Sequence, residues 1–317
     1  MWSYVIRRIL YNIPVYLAVV LFVMLALRVN DPVVNYLGKN ASQDQIENQK
    51  KIMGLDRPFH QQYFSFLKEL VTFQFDSDSW DQKGVKVKKI LVDSIIPSLS
   101  ITIPSLIITT LISLCIGLFC ANFRGRWPDR MVAISAVLGM SISLLVYTIF
   151  GQYFGAYKFM KATGWDLFAI EGYFGGPQNW VYYCLLPVII SSIVALGYDA
   201  RFYRAVMVEE TNRDYITTAR AKGASRMRVM FGHLLKNAMI PITTHIAATI
   251  PFLITGSLVI EKFFNIPGMG RALITAVEIN DFPVVQTFTA VLAAVYILTN
   301  ILTDVVYAWL DPRIRLT

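Results

Sequence analysis

Apolar residues gather into six long segments that are separated by polar stretches of unequal length. A helix rises about 1.5 Å per residue, so about 20 apolar residues are enough to cross the hydrocarbon core of a bilayer. Each segment reaches or approaches that length, and the pattern therefore predicts six transmembrane helices. The segments are residues 9–27, 99–121, 131–150, 181–198, 239–260 and 284–310.

The first apolar segment follows Arg7 and Arg8 and is predicted to be an uncleaved span within residues 1–30. A cleaved signal peptide is the competing interpretation. No small-x-small cleavage site follows the segment, which continues as LALRVNDP, so the sequence favours a span.

The polar region of residues 31–96 is predicted to be a small helical insertion that lies on the membrane. Ser42 and Gln45 have the spacing of a capping box, and Pro58 suits the first turn of a second helix. Residues 76–89 are expected to form a loop. The second helix should bury one face, made of Phe59, Tyr63, Phe66, Leu67 and Leu70.

Composition supports a polytopic, all-α membrane protein. The chain is 55% hydrophobic and only 16% charged, with a mean hydropathy of +0.51 and a net charge of +8, whereas soluble domains are about 25% charged. Cys115, Cys120 and Cys184 lie in or beside apolar segments. An odd number of cysteines in such places argues against a disulfide framework, and no spacing suggests a metal site.

The distribution of Lys and Arg predicts that both termini are cytoplasmic, because positive residues concentrate in the short loops on that side. Basic residues are dense between residues 199 and 238, which would form the largest inner loop. The two short loops predicted outside, residues 151–180 and 261–283, carry few, and a short helix is expected at residues 271–279. Those few are Lys158, Lys161, Lys262 and Arg271.

The polar stretch of residues 213–241 is predicted to form two helices with a corner between them. Asp214 is a suitable N-cap, Gly223 stands where a left-handed residue would end the first helix, and Ser225 can cap the second. A basic loop that needs no partner is the alternative, but two capped helices favour a docking surface. The second helix is expected to bury the stripe Met227, Met230, Phe231, Leu234, Leu235 and Ala238.

The motifs of common enzymes and NTPases do not occur in the sequence. There is no GxxxxGK[ST] phosphate loop, HExxH pair or GxSxG elbow, so no catalytic or metal-binding residue is predicted. Asp304, with Asn300 one turn earlier, is the candidate for an intramembrane charge. We expect it to have a structural pairing or capping role, with ion coupling as the alternative.

The segment DYITTARAKGASRMRVMFGHLLKNAMIP resembles the cytoplasmic EAA loop of binding-protein-dependent ABC import permeases, in the form found in the dipeptide/oligopeptide group. Further matching pieces occur in the order of that family and cover nearly the whole chain. They are RRILYNIP, GLDRPFHQQY, FRGRWPD, GSLVIEKFFNIPGMG, INDFPVVQ and DVVYAWLDPRI. They indicate the B-type subunit, which has a long first outer loop.

The resemblance implies the type I importer permease fold and a coupling helix that enters a groove on a cytoplasmic ATPase subunit. Ala219 and Gly223 would be the small residues that allow close approach, and Thr217 and Thr218 replace the Glu and Ala of the generic motif. The implied coupling residues are Asp214, Tyr215, Thr217, Thr218, Ala219, Arg220, Ala221, Lys222 and Gly223.

The resemblance further implies a non-catalytic permease core at residues 97–310 with a cytoplasmic tail at 311–317, in a bacterial or archaeal cytoplasmic membrane. The expected partners are a second homologous permease, ABC ATPase subunits that hold ATP and Mg, and an extracytoplasmic solute-binding protein, with no nucleic acid and no cofactor in this chain. Di- and oligopeptides are the expected cargo. Nickel chelates and oligosaccharides are alternatives, as is a stand-alone secondary transporter. No substrate-binding residue is predicted.

Overall fold

The computed structural model describes residues 2–29, 32–37, 41–255 and 257–310. Within these ranges the chain is predominantly helical, and the all-α prediction is confirmed. In chain order, the α-helices are α1 (Trp2–Ala26), α2 (Pro32–Leu37), α3 (Gln43–Ile52), α4 (Phe59–Thr72), α5 (Val87–Asn122), α6 (Trp127–Met140), α7 (Leu144–Phe150), α8 (Phe159–Thr163), α9 (Pro177–Glu210), α10 (Asp214–Ala221), α11 (Leu235–Thr255), α12 (Leu258–Phe263), α13 (Met269–Glu278) and α14 (Phe282–Leu310).

Four helices in the described ranges, α1, α5, α9 and α14, are long and apolar enough to cross a membrane. They correspond to four of the six predicted spans. The fifth predicted segment forms α11, which ends at Thr255 beside a residue outside the described ranges. The predicted tail at residues 311–317 also lies outside them.

The third predicted segment, residues 131–150, is divided between two helices rather than forming one continuous helix. Helix α6 and the helical stretch from Leu144 to Thr163 would make one span together, but they are bent by 91° at a break. Ser143 causes the new start, because its hydroxyl accepts a hydrogen bond from the backbone N–H of Val146 at 3.4 Å and so caps α7.

The loop predicted at residues 151–180 is shorter than expected. The chain stays helical through a π-helical segment, Gly151–Lys158, and through α8. Gly164, with φ +73°, then ends the helix in the left-handed conformation, and α9 begins at Pro177. The irregular part is therefore confined to residues 164–176.

The insertion between α1 and α5 has the predicted helices. The capping box of Ser42 and Gln45 is present at the start of α3, and α4 buries Phe66 and Leu70. Helix α5 begins at Val87, earlier than the predicted boundary at residue 96, because nothing between the two positions interrupts a helix. The end of the predicted loop and the last part of the predicted insertion therefore belong to α5.

Three buried apolar clusters hold the helices together. The first joins the insertion to α1, α5, α13 and α14. The second joins the ends of α5 and α9 to α10 and α11, and the third joins the opposite parts of α5 and α9 to α12. Helices α5 and α9 contribute to two clusters or more, so they connect the insertion end of the molecule to the α10 end.

Candidate functional site

Helix α10 begins one residue earlier than its predicted start. Its N-cap is Arg213, whose side chain makes no capping hydrogen bond, so the prediction that Asp214 caps the helix is wrong. Asp214 instead lies in the first turn, where its negative charge interacts favourably with the positive end of the helix dipole. The aspartate therefore still stabilises the start of the helix, by electrostatics rather than by capping.

The end of α10 is the glycine corner that the sequence predicts. Gly223 has φ +78°, a left-handed conformation that residues with a Cβ adopt at a cost. Its backbone N–H donates to the Arg220 carbonyl at 2.9 Å, and the Ala224 N–H donates to the Ala219 carbonyl at 3.1 Å. These two bonds form a Schellman motif, which ends the helix and turns the chain.

Helix α10 has one face packed against its own chain and one face open. Ile216 and Ala219 are buried in the second apolar cluster. Ala219 therefore packs inward. It is not exposed to a partner, as the expectation of close approach at this residue would require. The exposed residues of the helix and its corner are Asp214, Thr217, Thr218, Arg220, Ala221, Lys222 and Gly223.

Tyr215 lies between the two faces and is half-buried. Its hydroxyl donates a short hydrogen bond to the Glu210 carboxylate. Burial, together with this bond to a negative acceptor, raises the pKa of Tyr215 to about 12. The phenol is therefore neutral at physiological pH, and it ties α10 to the last turn of α9.

The helix after the corner differs in its buried face from the prediction. Ser225 caps it as expected, accepting from the Arg228 N–H at 3.4 Å, but Arg228–Leu234 is π-helical. The wider turn rotates the face, so Met227 and Phe231 of the predicted stripe are exposed and Val229 is buried. The buried residues here are Val229, Met230, Leu234, Ala238 and Ile242.

The two helices and their corner form a hairpin, residues 211–234. Hydrogen bonds from two arginines connect this hairpin to the end of α5. Arg124, just after α5, donates to Thr211 Oγ1 at 3.0 Å and also to Asn212. Arg226 donates to the carbonyl of Asn122, the last residue of α5, at 2.9 Å. The hairpin is thereby bound on both sides to the end of α5.

A buried ion pair connects α6 and α9 near the same end. Asp129, which is 2% exposed, accepts two hydrogen bonds from Arg204, at 2.5 Å from Nε and 2.9 Å from Nη2. This two-pronged geometry is the strong form of an Arg–carboxylate pair. Because Asp129 ends the FRGRWPD segment, this ion pair binds that segment to α9.

Two pairs of polar side chains link long helices of the fold. Asp304 on α14 forms an ion pair with Arg8 on α1, which confirms the expected structural pairing. Asp199 Oδ1 on α9 lies 3.0 Å from His245 Nε2 on α11. Sequence analysis missed this second pair, because Asp199 follows the predicted fourth span by one residue. His245, inside the predicted fifth segment, was the available signal.

A buried carboxylate caps α13. Glu261 is fully buried and accepts from Ser98 Oγ at 2.7 Å and from the Arg271 N–H at 3.1 Å. Ser98 Oγ also accepts from the Met269 N–H at 2.8 Å. A Cβ on Gly268 would lie 2.5 Å from Ser98 Oγ, so glycine allows this approach. The GSLVIEKFFNIPGMG segment thus folds onto α5, about 36 Å along the helix from Asn122.

A second buried carboxylate lies just after the other end of α13. Asp281 is 2% exposed. It accepts a short hydrogen bond from the Ser79 hydroxyl and another from the Trp80 N–H at 3.2 Å. The Trp80 ring stacks on Phe282 with ring centroids 5.1 Å apart. Helix α13 is therefore fixed to α5 at one end and to the insertion at the other.

An open cavity of about 800 Å³ lies between the insertion, the end of α1 and the start of α14. Charged side chains of both signs line it, together with several glutamines. The charged residues are Arg28, Arg57, Glu69, Asp78 and Lys83. In the part of the chain that the structure describes, no cluster of three or more His, Cys, Asp or Glu could hold a metal ion.

Comparison with known proteins agrees with this architecture. The family described as "Binding-protein-dependent transport system inner membrane component" matches residues 113–316, and the N-terminal region of the same kind of membrane component matches residues 1–82.

Three curated relatives match over almost the whole chain. A probable peptide ABC transporter permease protein of Sinorhizobium fredii is 31% identical over 99% of this chain and 100% of its own length. A glutathione transport system permease protein of Salmonella typhimurium is 34% identical over 99% of both chains. A putative peptide permease protein of Brucella ovis is 34% identical over 100% of both chains.

Proposed function

The chain belongs to the family of binding-protein-dependent transport system inner membrane components, and from this membership we propose how its parts serve an ATP-driven importer. It is an ABC importer permease subunit. Together with a second homologous permease it encloses the translocation path, and it carries no catalytic residue of its own.

The hairpin of residues 211–234 is the contact with the motor. Its exposed α10 face docks on an ABC ATPase subunit, which binds ATP and Mg. The docking proposal rests on one observation: α10 has a buried face, with Ile216 and Ala219, and an exposed face. A displacement of α10 is passed to α9 and α11, because all three share one apolar cluster.

The charge distribution supports an orientation with both termini and the hairpin in the cytoplasm. The insertion and α13 are then extracytoplasmic. The cavity that the insertion forms with α1 and α14 faces a soluble solute-binding protein, which delivers the cargo. The side chains that line this cavity carry charges of both signs, which suits contact with a polar protein surface.

Peptides are the proposed cargo. Two of the relatives are named as peptide permeases and one as a glutathione permease, and glutathione is itself a tripeptide. Nickel chelates and oligosaccharides are the alternative solutes for the same machinery.

A pull-down from native membranes in mild detergent tests the assignment. We expect a phosphate-loop ATPase and a second polytopic permease to co-purify with the tagged chain. Ala221→Trp, on the exposed face of α10, should remove the ATPase. Ala162→Trp, the same substitution at an exposed position of α8, should retain it. Recovery of the chain alone, with uptake by vesicles that lack ATP, would contradict the proposal.

A further inference from the structure

Asp199 and His245 face each other between α9 and α11. Asp199 Oδ1 is 3.0 Å from His245 Nε2. Asp199 lies in the apolar helix α9, about 33 Å along it from Pro177. Among the described residues, Asp199 Oδ2 accepts no hydrogen bond. One oxygen of the carboxylate is thus bound to the imidazole, and the other is available.

This pair reaches the surface of the chain. The side chain of His245 is 30% exposed and that of Asp199 is 13% exposed. Ionisable side chains in membrane helices face other protein or water rather than lipid, because the hydrocarbon core solvates charge poorly. The pair therefore faces water or neighbouring protein rather than lipid.

Aromatic rings pack against the imidazole of the pair. The Phe202 ring stacks on the His245 ring with centroids 4.4 Å apart, and Tyr203 meets the imidazole edge-on at 6.0 Å. Tyr198 is 55% exposed and shares a helix face with Phe202, four residues later. Asp199 lies on the same helix as Tyr198 and Phe202, and a carboxylate together with aromatic rings is the chemistry that recognises an ammonium group.

We propose that Tyr198, Asp199, Phe202 and His245 form a binding site for a protonated amine of the solute on the wall of the translocation path. The inference rests on the proposed function, since it needs a path beside α9 and α11. The contact between His245 Nε2 and Asp199 Oδ1 holds the carboxylate in place and leaves Oδ2 for the ligand. Solutes with a free amine pass this site more readily than anionic ones.

Cysteine labelling measures the charge of the site directly. Ala248, exposed on α11 one turn after His245, is replaced by Cys in a chain whose three native cysteines are Ala. The co-purified complex in proteoliposomes is treated with a trimethylammonium methanethiosulfonate or with a sulfonate methanethiosulfonate. We expect Asp199→Asn to lower the ratio of cationic to anionic labelling rates about tenfold.

Matched variants separate charge from folding. Asp199→Glu keeps the charge and should keep the high ratio, even if Asp199→Asn folds poorly. Val137→Cys, on the exposed face of α6, should give a ratio that Asp199→Asn leaves unchanged. Arg201, which lies near Tyr198 on α9, is present in every variant, so it cannot account for a difference between them.

Competition identifies the ligand chemistry. Propylammonium chloride should slow cationic labelling of Ala248→Cys when Asp199 is present and not in the Asp199→Asn variant, while sodium propionate should slow it in neither. Equal labelling ratios with Asp199 present and with Asp199→Asn, or no labelling of Ala248→Cys by either reagent, would overturn the proposed amine site.

The two proposals can fail separately. If the cation preference holds but the complex lacks an ATPase and ATP-driven uptake, then the importer assignment is wrong and the amine site remains. If uptake is ATP-driven but the preference does not depend on Asp199, then the site is wrong and the importer assignment remains.

Discussion

Single residues at helix ends determine much of the geometry of this protein. Gly223 ends α10 through two backbone hydrogen bonds, and Ser225 starts the next helix. Both features could be predicted from the sequence, because capping depends on residues close together in the chain. The Ser98–Glu261 contact joins residues far apart in the chain, so no local pattern could indicate it.

Gly223→Val should strain the corner of the hairpin by about 1–2 kcal/mol, since a side chain is disfavoured at its positive φ. We expect ATP hydrolysis by the complex to continue while ATP-driven uptake falls. Gly164→Val is the control, because Gly164 also ends a helix at a positive φ with open space around it, but lies after α8. Normal uptake by Gly223→Val would contradict the coupling role of the corner.

Ser98→Ala should lower the free energy of unfolding by about 1–3 kcal/mol, because it leaves buried polar groups of Glu261 and Met269 without a partner. Thermal unfolding of the purified chain in detergent measures the change. Ser191→Ala should have a smaller effect, since the Ser191 hydroxyl only bonds back to the Pro187 carbonyl of its own helix. If both substitutions lower thermal stability equally, the Ser98–Glu261 contact contributes no more to stability than the Ser191 hydrogen bond does.

At the scale of elements, sequence patterns predicted where helices lie more reliably than which way they face. The π-helical turn at Arg228–Leu234 exposes Met227 and Phe231, against the predicted stripe, which assumed 3.6 residues per turn. Ser143 divides the third apolar segment. Hydrophobicity alone cannot show that division, because both halves are apolar.

Ile216→Ala should destabilise the hairpin by about 2–4 kcal/mol, because it empties a fully buried position between α10 and the ends of α9 and α11. Limited proteolysis of the membrane-embedded chain should then cut within residues 211–234 faster. Thr217→Ala, on the exposed face of the same helix, is expected to change the cleavage rate little. Similar rates for both variants would mean that α10 is not anchored by this cluster.

Considered as a whole, the molecule joins parts that are distant in the sequence. Arg8 and Asp304 connect the first and last long helices. Asp281 connects the insertion to the start of α14. Composition and periodicity predicted a polytopic helical protein and an insertion. They could not supply these tertiary pairings, or that between Asp199 and His245, because each depends on which helices become neighbours.

Asp304→Arg should weaken the packing of α1 on α14, because it places two positive charges where the structure has an ion pair. Combining it with Arg8→Asp should restore part of the lost thermal stability. A double-mutant cycle gives the coupling energy, which we expect to be about 1 kcal/mol for a partly exposed pair. Additive effects of the two substitutions would show that the pair contributes no coupling.

If the exposed face of α10 contacts the ATPase, photo-crosslinking in native membranes should join the two proteins. A benzophenone amino acid replaces Thr218, exposed on α10, or Thr163, exposed at the end of α8. We expect a crosslinked ATP-binding-cassette subunit from position 218 and none from position 163. The absence of that product from position 218, in membranes where the chain supports uptake, would show that α10 is not the contact with the ATPase.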